Sequence, residues 1–539
     1  MNRLHFFANI RVIRGSKFFF ATLRGMAFLA DDQGRTVERI LPVGFAPLDY
    51  AIVAVYLLGV TVAGVLISGR QRSSRDYFLG GKQMAWWSVG FYIAASETST
   101  LTFISIPGLA FKGNMHFLQL AAGYFLGRLI VSVVFIPAYY RGDLETAYDF
   151  LGKRFGLSLR RFTSLVFIVT RLLASGVRLF ATAIPVHLIT GLGYPASILL
   201  IGGFTLVYTY LGGLKAVVAM DVVQLFIYLG AAAVAMGLIL HRLPHGWADV
   251  AAFASSHGQD KFAFINTSTG TTLMGFLAAP YTLLGGLLGG TFLAMASHGT
   301  DQMIVQRLLG CRTRWDSQRA LMLDAAFIVL QFGFFLALGL CLYAFYGGVS
   351  FQQLGLASSD EVFPKFIVEN LPTGIAGLAV AGVLASAMGT LSSSISSLAS
   401  STYLDLFKLT ARGRALDKQG ELRWSRLFTL LWSVLLIGGA MLFTDTKNPV
   451  VELGLKIASF TYGGLLGTFL LGLLFKKTTQ IDAFIGFVCG LAAMAAVLAF
   501  TPIDFTWHTF IGCAVTILAG NASRFLREMK GVPAPNESP

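Results

Sequence analysis

Apolar residues along this chain are gathered into stretches of about 20, the length a helix needs to cross the hydrocarbon core of a bilayer, and charge falls between them. The alternating pattern of a membrane barrel is absent, and lipid leaves no water for an irregular or open-edged backbone, so the stretches must be helices. By length there are about thirteen spans. Their cores run over 47–67, 84–110, 117–139, 163–189, 195–211, 216–240, 272–297, 321–346, 374–404, 427–443, 450–474, 481–500 and 507–524. The chain therefore reads as an all-α integral membrane protein.

Composition agrees. Of 539 residues, 55% are hydrophobic and only 13% charged, with a mean hydropathy of +0.69, too apolar for a soluble chain of this length. The excess of 41 Lys and Arg over 27 Asp and Glu is what cytoplasmic loops of a membrane protein require, so it does not call for nucleic acid as a partner. Cys311, Cys341, Cys489 and Cys513 show no CxxC spacing and read as packing residues or a loop thiol.

Loop charge sets the orientation. Arg70, Arg72 and Arg75 follow the first span; Arg141, Lys153, Arg154, Arg160 and Arg161 follow the third; Arg307, Arg312, Arg314 and Arg319 follow the seventh. The 408–426 loop and the pair Lys476 and Lys477 fall on that same side, while 241–270 and 347–372 are poor in bases. The basic side is the cytoplasm, which places the C-terminus there. Residues 1–46 fit badly, because Arg3, Arg11, Arg14, Lys17 and Arg24 stand on the wrong side. Phenylalanines interleave with those bases, so the segment reads as a surface-lying amphipathic stretch or as an extension upstream of a true start at Met26; a processed signal fits less well. The tail 529–539 reads as disordered.

The second span is interrupted by Ala-Ala-Ser-Glu-Thr-Ser-Thr at 94–100 and Ile-Pro-Gly at 106–108, and the seventh by Ala-Pro-Tyr at 279–281 with Gly285, Gly286, Gly289 and Gly290 after it. Broken helices at membrane depth occur where freed carbonyls line a cavity or hold an ion. Two breaks five spans apart predict two five-helix repeats of inverted topology, 77–240 and 271–475, with a binding site between them at the midplane. The first helix and its loop (47–76) precede the repeats and two helices (480–528) follow them. In the ninth span, Ser386, Gly389 and Thr390 lie at i, i+3 and i+4 on one face of a serine-rich helix. Oxygen on that face suits a hard cation, although many of these hydroxyls serve only to let helices pack closely and bond back to their own backbone.

Five stretches resemble the sodium:solute symporter family in its order. They are Tyr77 to Lys82 leading through Trp86-Trp87 to Pro107-Gly108, Gly212-Gly-Leu-Lys215 to Asp221-Val-Val-Gln224, Gly299-Thr-Asp-Gln302 to Gln306-Arg307, Thr390 to Asp405, and Ile457 to Gly463. The resemblance implies sodium-driven symport of a small solute across the plasma membrane, with Na+ as coupling ion and no other cofactor. It implies a sodium ion held by the carbonyls of Ala95, Thr98 and Ser386 and by side chains at 389 and 390, and it places Asp221 on the ion's exit route. Position 389 is Gly where the family commonly carries Ser, which leaves Thr390, helped by the side chain of Thr98 or Ser386, as the hydroxyl ligand. For Asp221 the plainer reading is a helix N-terminal acid favoured by the macrodipole.

Intramembrane charges point to the solute. Arg171 and Arg178 share a face of the fourth span, Arg128 lies in the third, and Glu97 sits at the break of the second. Either Glu97 pairs internally with one arginine, or an arginine meets a carboxylate solute with its planar fork. Arg128 is near enough to an interface to snorkel, and His187 reads as interfacial. The alternatives are a proton-coupled carrier using Glu97 and a transporter-like solute sensor. No Gly-rich phosphate loop, HExxH metal motif or nucleophile elbow marks an ATP-driven pump or an enzyme.

Single cysteines introduced in the 408–426 loop are expected to react with an impermeant maleimide only from the cytoplasmic side, and those in 241–270 only from outside. The reverse labelling overturns the orientation.

Overall fold

The computed structural model describes residues 45–530 apart from 68, 70, 99, 256–259, 269–271 and 443–449. The N-terminal segment 1–44 and the tail 531–539, on which two of the expectations fall, lie outside the described residues. Within them the chain is helical throughout, and its one isolated β-bridge joins Met84 to Cys311.

The helices are α1 (Pro47–Ile67), α2 (Trp86–Glu97), α3 (Thr100–Lys112), α4 (Phe117–Tyr140), α5 (Leu157–Thr190), α6 (Tyr194–Arg242) and α7 (Gly290–Gly299). They continue as α8 (Gln302–Leu308), α9 (Arg314–Phe345), α10 (Ile375–Phe407), α11 (Lys418–Met441), α12 (Val450–Leu474), α13 (Gln480–Phe500) and α14 (Phe505–Met529). Ten helices among the described residues are long and apolar enough to span a membrane. One of them, α6, has 49 residues and is two spans, because Gly213 at φ 58°, ψ −160° breaks it. A Cβ there would stand 2.8 Å from the Tyr77 carbonyl oxygen, so both the backbone angle and the close approach require glycine.

The two spans missing from the ten are the interrupted ones. The second span divides into α2 and α3 at Thr98. The seventh bends at 279–281, where Leu273–Ala278 ends and Tyr281 takes φ 50°. It then runs through a π-turn at Gly285–Gly289 into α7, and stops a second time at Thr300 and Asp301. The sequence pattern does not mark this second stop. Thr300 turns its hydroxyl back to the Ala296 carbonyl (2.8 Å) and Asp301 accepts from the Met303 amide (2.8 Å), so both residues serve as caps rather than helix interior.

The serine-rich α10 is the centre of the molecule: 89% of its spanning window is buried, against 22% for α1. Small side chains let its neighbours approach, and its hydroxyls bond back along the helix, as Ser394 does to the Thr390 carbonyl and Ser397 to the Ser394 carbonyl, each at 3.0 Å. Lys261 is buried in the 260–268 loop, donates to the carbonyls of Phe111 (2.8 Å) and Gly113 (3.0 Å) and so closes the end of α3. Burial draws its ammonium down to about 8.

Helix α4 and the start of α7 meet backbone to backbone. A Cβ on Gly123 would lie 2.5 Å from the Gly286 carbonyl oxygen, and one on Gly290 would lie 2.5 Å from that of Leu120. No side chain fits in this seam, which sets the separation of α4 from α7 and hence of the groups they carry. Gly123→Val is expected to push the two helices apart and cost about 1–3 kcal/mol, seen as a lower melting temperature of the purified protein. An unchanged melting temperature would show that the seam is not close-packed.

Candidate functional site

A cavity of about 170 Å³ lies where the break of α2 and α3 faces α4, α5, α7 and α12. Its charged and polar wall includes Glu97, Arg128, Arg171, Arg178, His298, Asp301 and Tyr462. Ile106, Leu109, Phe117 and Phe332 supply apolar wall.

Arg128, fully buried on α4, donates through Nη2 to Glu97 and through Nε to Asp324 of α9 at 2.7 Å. His298 of α7 brings Nε2 to 2.9 Å from Glu97 Oε1 and 3.6 Å from Asp324 Oδ2. Arg171 pairs with Asp301, and the Tyr462 hydroxyl donates to the same carboxylate at 2.7 Å. Arg178, one face with Arg171 on α5, makes no ion pair or side-chain hydrogen bond among the described residues, yet borders the cavity. It also borders a narrow crevice toward Thr390 and Ser175.

One expectation changes here: Arg128 does not snorkel, because carboxylates from α2 and α9 hold it inside. Glu97 makes the internal pair with one arginine, and its partner is Arg128 rather than either arginine of α5. His187 is half-buried at the end of α5, with Nδ1 2.6 Å from the Leu192 carbonyl, as an interfacial residue would be. Sequence reasoning missed His298, Asp301, Asp324 and Tyr462 as members of the site. A lone acid inside an apolar span was the available signal for Asp324, and the quoted Gly299 to Gln302 stretch already held Asp301.

Of the residues expected around the ion, Ala95, Thr98 and Ser386 lie where α2, α3 and α10 meet, whereas Gly389 and Thr390 face other helices. Thr98 ends α2, its amide donating to the Ala94 carbonyl at 3.0 Å, and Ala95 is buried one turn inside. Ser386 and Thr100 bring their hydroxyls to 3.0 Å, joining α10 to α3, and Thr390 donates to the Ser386 carbonyl at 3.0 Å. The side chain of Thr98 is occupied by the Ala94 carbonyl (2.8 Å) and by Gln331 (2.5 Å), and that of Ser386 by Thr100 and the Val383 carbonyl (2.9 Å). Ser386, Gly389 and Thr390 address three different neighbours: α3, then α6, then α5.

A Cβ on Gly389 would lie 3.2 Å from Gln224 Oε1 and 3.5 Å from Asp221 Oδ1. Asp221 is fully buried on the second half of α6 and accepts from Ser392 and Ser393, each at 3.1 Å. It lies two turns beyond Gly213, outside the first turn of its helix, so the macrodipole reading falls and α10 is what holds it.

The profile of the sodium:solute symporter family matches residues 77–490. The chain belongs to that family. Among its relatives, the human sodium/iodide cotransporter is 30% identical over 83% of this chain and 69% of its own length. The sodium/sialic acid symporter NanT of Aliivibrio fischeri is 25% identical over 88% and 92%, and mouse sodium-coupled monocarboxylate transporter 1 is 28% identical over 83% and 72%. A solved outward-open, substrate-bound Na+-coupled sialic acid symporter superposes with a TM-score of 0.78 at 24% identity, covering 89% of this chain and 98% of that one. The fold of this symporter is therefore the expected one of about thirteen membrane helices, with two inverted five-helix repeats that each open on a broken helix.

Among the described residues, neither polar atom of the buried Gln224 amide has a well-formed hydrogen bond. In Gly389→Ser the symporter gains a hydroxyl beside that amide, which then has a bonding partner within reach. The variant is expected to be more stable by about 1 kcal/mol, measured as a higher melting temperature. A lower one would mean that Gln224 cannot yield.

Proposed function

We propose that this symporter uses the inward sodium gradient to take up a small organic carboxylate across the plasma membrane, with its C-terminus in the cytoplasm. The observation that carries the proposal is Arg178. Arg171 is neutralised by Asp301, and Arg128 by Glu97 and Asp324, which leaves Arg178 as the guanidinium at the cavity without an acid. An unneutralised guanidinium at membrane depth is costly, and a solute carboxylate supplies both the charge and a planar two-oxygen partner. Apolar wall at Ile106, Leu109, Phe117 and Phe332 suits a short carbon chain. Iodide, sialic acid and monocarboxylates, named for three relatives, are likewise anions.

Sodium in this reading is held by the carbonyls of Ala95, Thr98 and Ser386 and the Thr390 hydroxyl, at the junction of the broken helix with α10. Thr390 and Arg178 line one crevice, which in this reading puts the ion and the carboxylate near each other. Filling one orders the other, and the broken helices then rock against the remaining repeat helices to turn the site inward.

In reconstituted vesicles, labelled pyruvate is expected to accumulate with an inward sodium gradient and not with potassium, and glucose should not compete. Arg178→Lys keeps the charge but loses the fork, and should lower uptake about tenfold or more. Thr390→Ala should raise the sodium concentration for half-maximal uptake with normal amounts of protein in the membrane. Normal transport by Arg178→Lys, or competition by glucose, overturns the carboxylate assignment; unchanged sodium dependence in Thr390→Ala overturns the ion site.

A further inference from the structure

We propose that His298 is a proton-binding site of the transport cycle, making the proton a second coupling ion beside sodium. As a coupling step it rests on the transport reading above; the site itself rests on charge balance. Glu97 and Asp324 are two carboxylates that share one guanidinium, Arg128, in a pocket where Arg128 and Asp324 are wholly buried and Glu97 is about a fifth exposed, toward the cavity. Two negative charges against one positive leave an excess that low-dielectric surroundings penalise. His298 stands 2.9 Å from one carboxylate and 3.6 Å from the other, and as an imidazolium it brings the cluster to neutrality.

The ring is placed for both states. Nδ1 lies 2.8 Å from the Ser297 hydroxyl and 3.2 Å from the Ala294 carbonyl. A neutral ring accepts there from Ser297; a charged ring donates to the carbonyl or to the same hydroxyl after it rotates. Nε2 faces only carboxylate oxygens, at ion-pair distance but without a well-aligned hydrogen bond, so its partners can re-form as the charge changes. The other charged and titratable groups described around the cavity are Tyr124 on α4, Arg171 and Arg178 on α5, Tyr281 at the bend before α7, Asp301 beyond α7 and Tyr462 on α12. Arg171 and Asp301 cancel, and Arg178 faces the solute. A metal ion fits the same three ligands less well, because Arg128 already occupies an oxygen of each carboxylate.

The cycle then has a simple balance. An N–H bond forms on His298 with a proton from the water of the open cavity, and the same bond breaks to water on the opposite side once the site has turned; no electrons move. His298 lies on α7, next to the second stop of the broken seventh span, so the charge it carries acts on the element that rocks.

Two measurements decide the matter. In vesicles loaded with a pH-sensitive dye, with the membrane potential clamped, adding sodium pyruvate to the wild type should move protons in the direction of pyruvate, and His298→Gln should lose the protons moved per pyruvate whatever its rate. Equal proton movement in the variant overturns the proposal. The second measurement needs no solute: in a carbon-13 histidine NMR titration of the full chain in lipid nanodiscs, one signal, absent from His298→Gln, should change as pH is varied over the range in which the protein stays folded. A signal fixed across that range overturns the site, and failure of pyruvate uptake with a titrating signal overturns the transport reading instead.

Discussion

A guanidinium buried in a membrane has no water to solvate it, and the neutralisation of Arg128 is the constraint around which this protein is built. Its two acids come from different elements, Glu97 at the end of α2 and Asp324 in α9, so satisfying one side chain joins three helices that are far apart in sequence. The contact also holds the broken span at its break. Glu97 is the last residue of α2, and its carboxylate is tied between Arg128 and His298. A helix interrupted in lipid would otherwise expose unpaired carbonyls, and here they are turned toward protein.

Small residues make that arrangement possible. The glycine seam brings α4 against α7 closely enough for Arg128 and His298 to reach the same carboxylates, and the alanines, serines and glycines of α10 let α3, α5 and α6 crowd around it. Serine at such density in a membrane helix is tolerated because each hydroxyl has a carbonyl one turn back or a partner on another helix. The result is a core in which buried apolar side chains are interleaved with many hydroxyl oxygens.

Arg178 lies between two spaces. It borders the cavity and also the crevice that contains Thr390. A charge placed in either space acts on the same guanidinium.

The class of the protein, its helical fold and the two broken spans were legible in the sequence, because each rests on local chemistry: runs of apolar residues and breaks at small, Pro and Gly residues. Arg171 and Arg178 could also be singled out, since a charge within an apolar run stands out by itself. Which of them is free could not be read, because pairing depends on an acid 130 residues away; Asp301 reaches Arg171 from the second stop of the seventh span, whose helix α7 packs on α4 and α12. The same reason hid the Arg128 network, the second stop at Thr300 and Asp301, and the direction in which Gly389 faces. Local pattern determines where a chain must be helical and where it must break, whereas the neutralisation of buried charge is a property of elements brought together, and only the tertiary structure decides it.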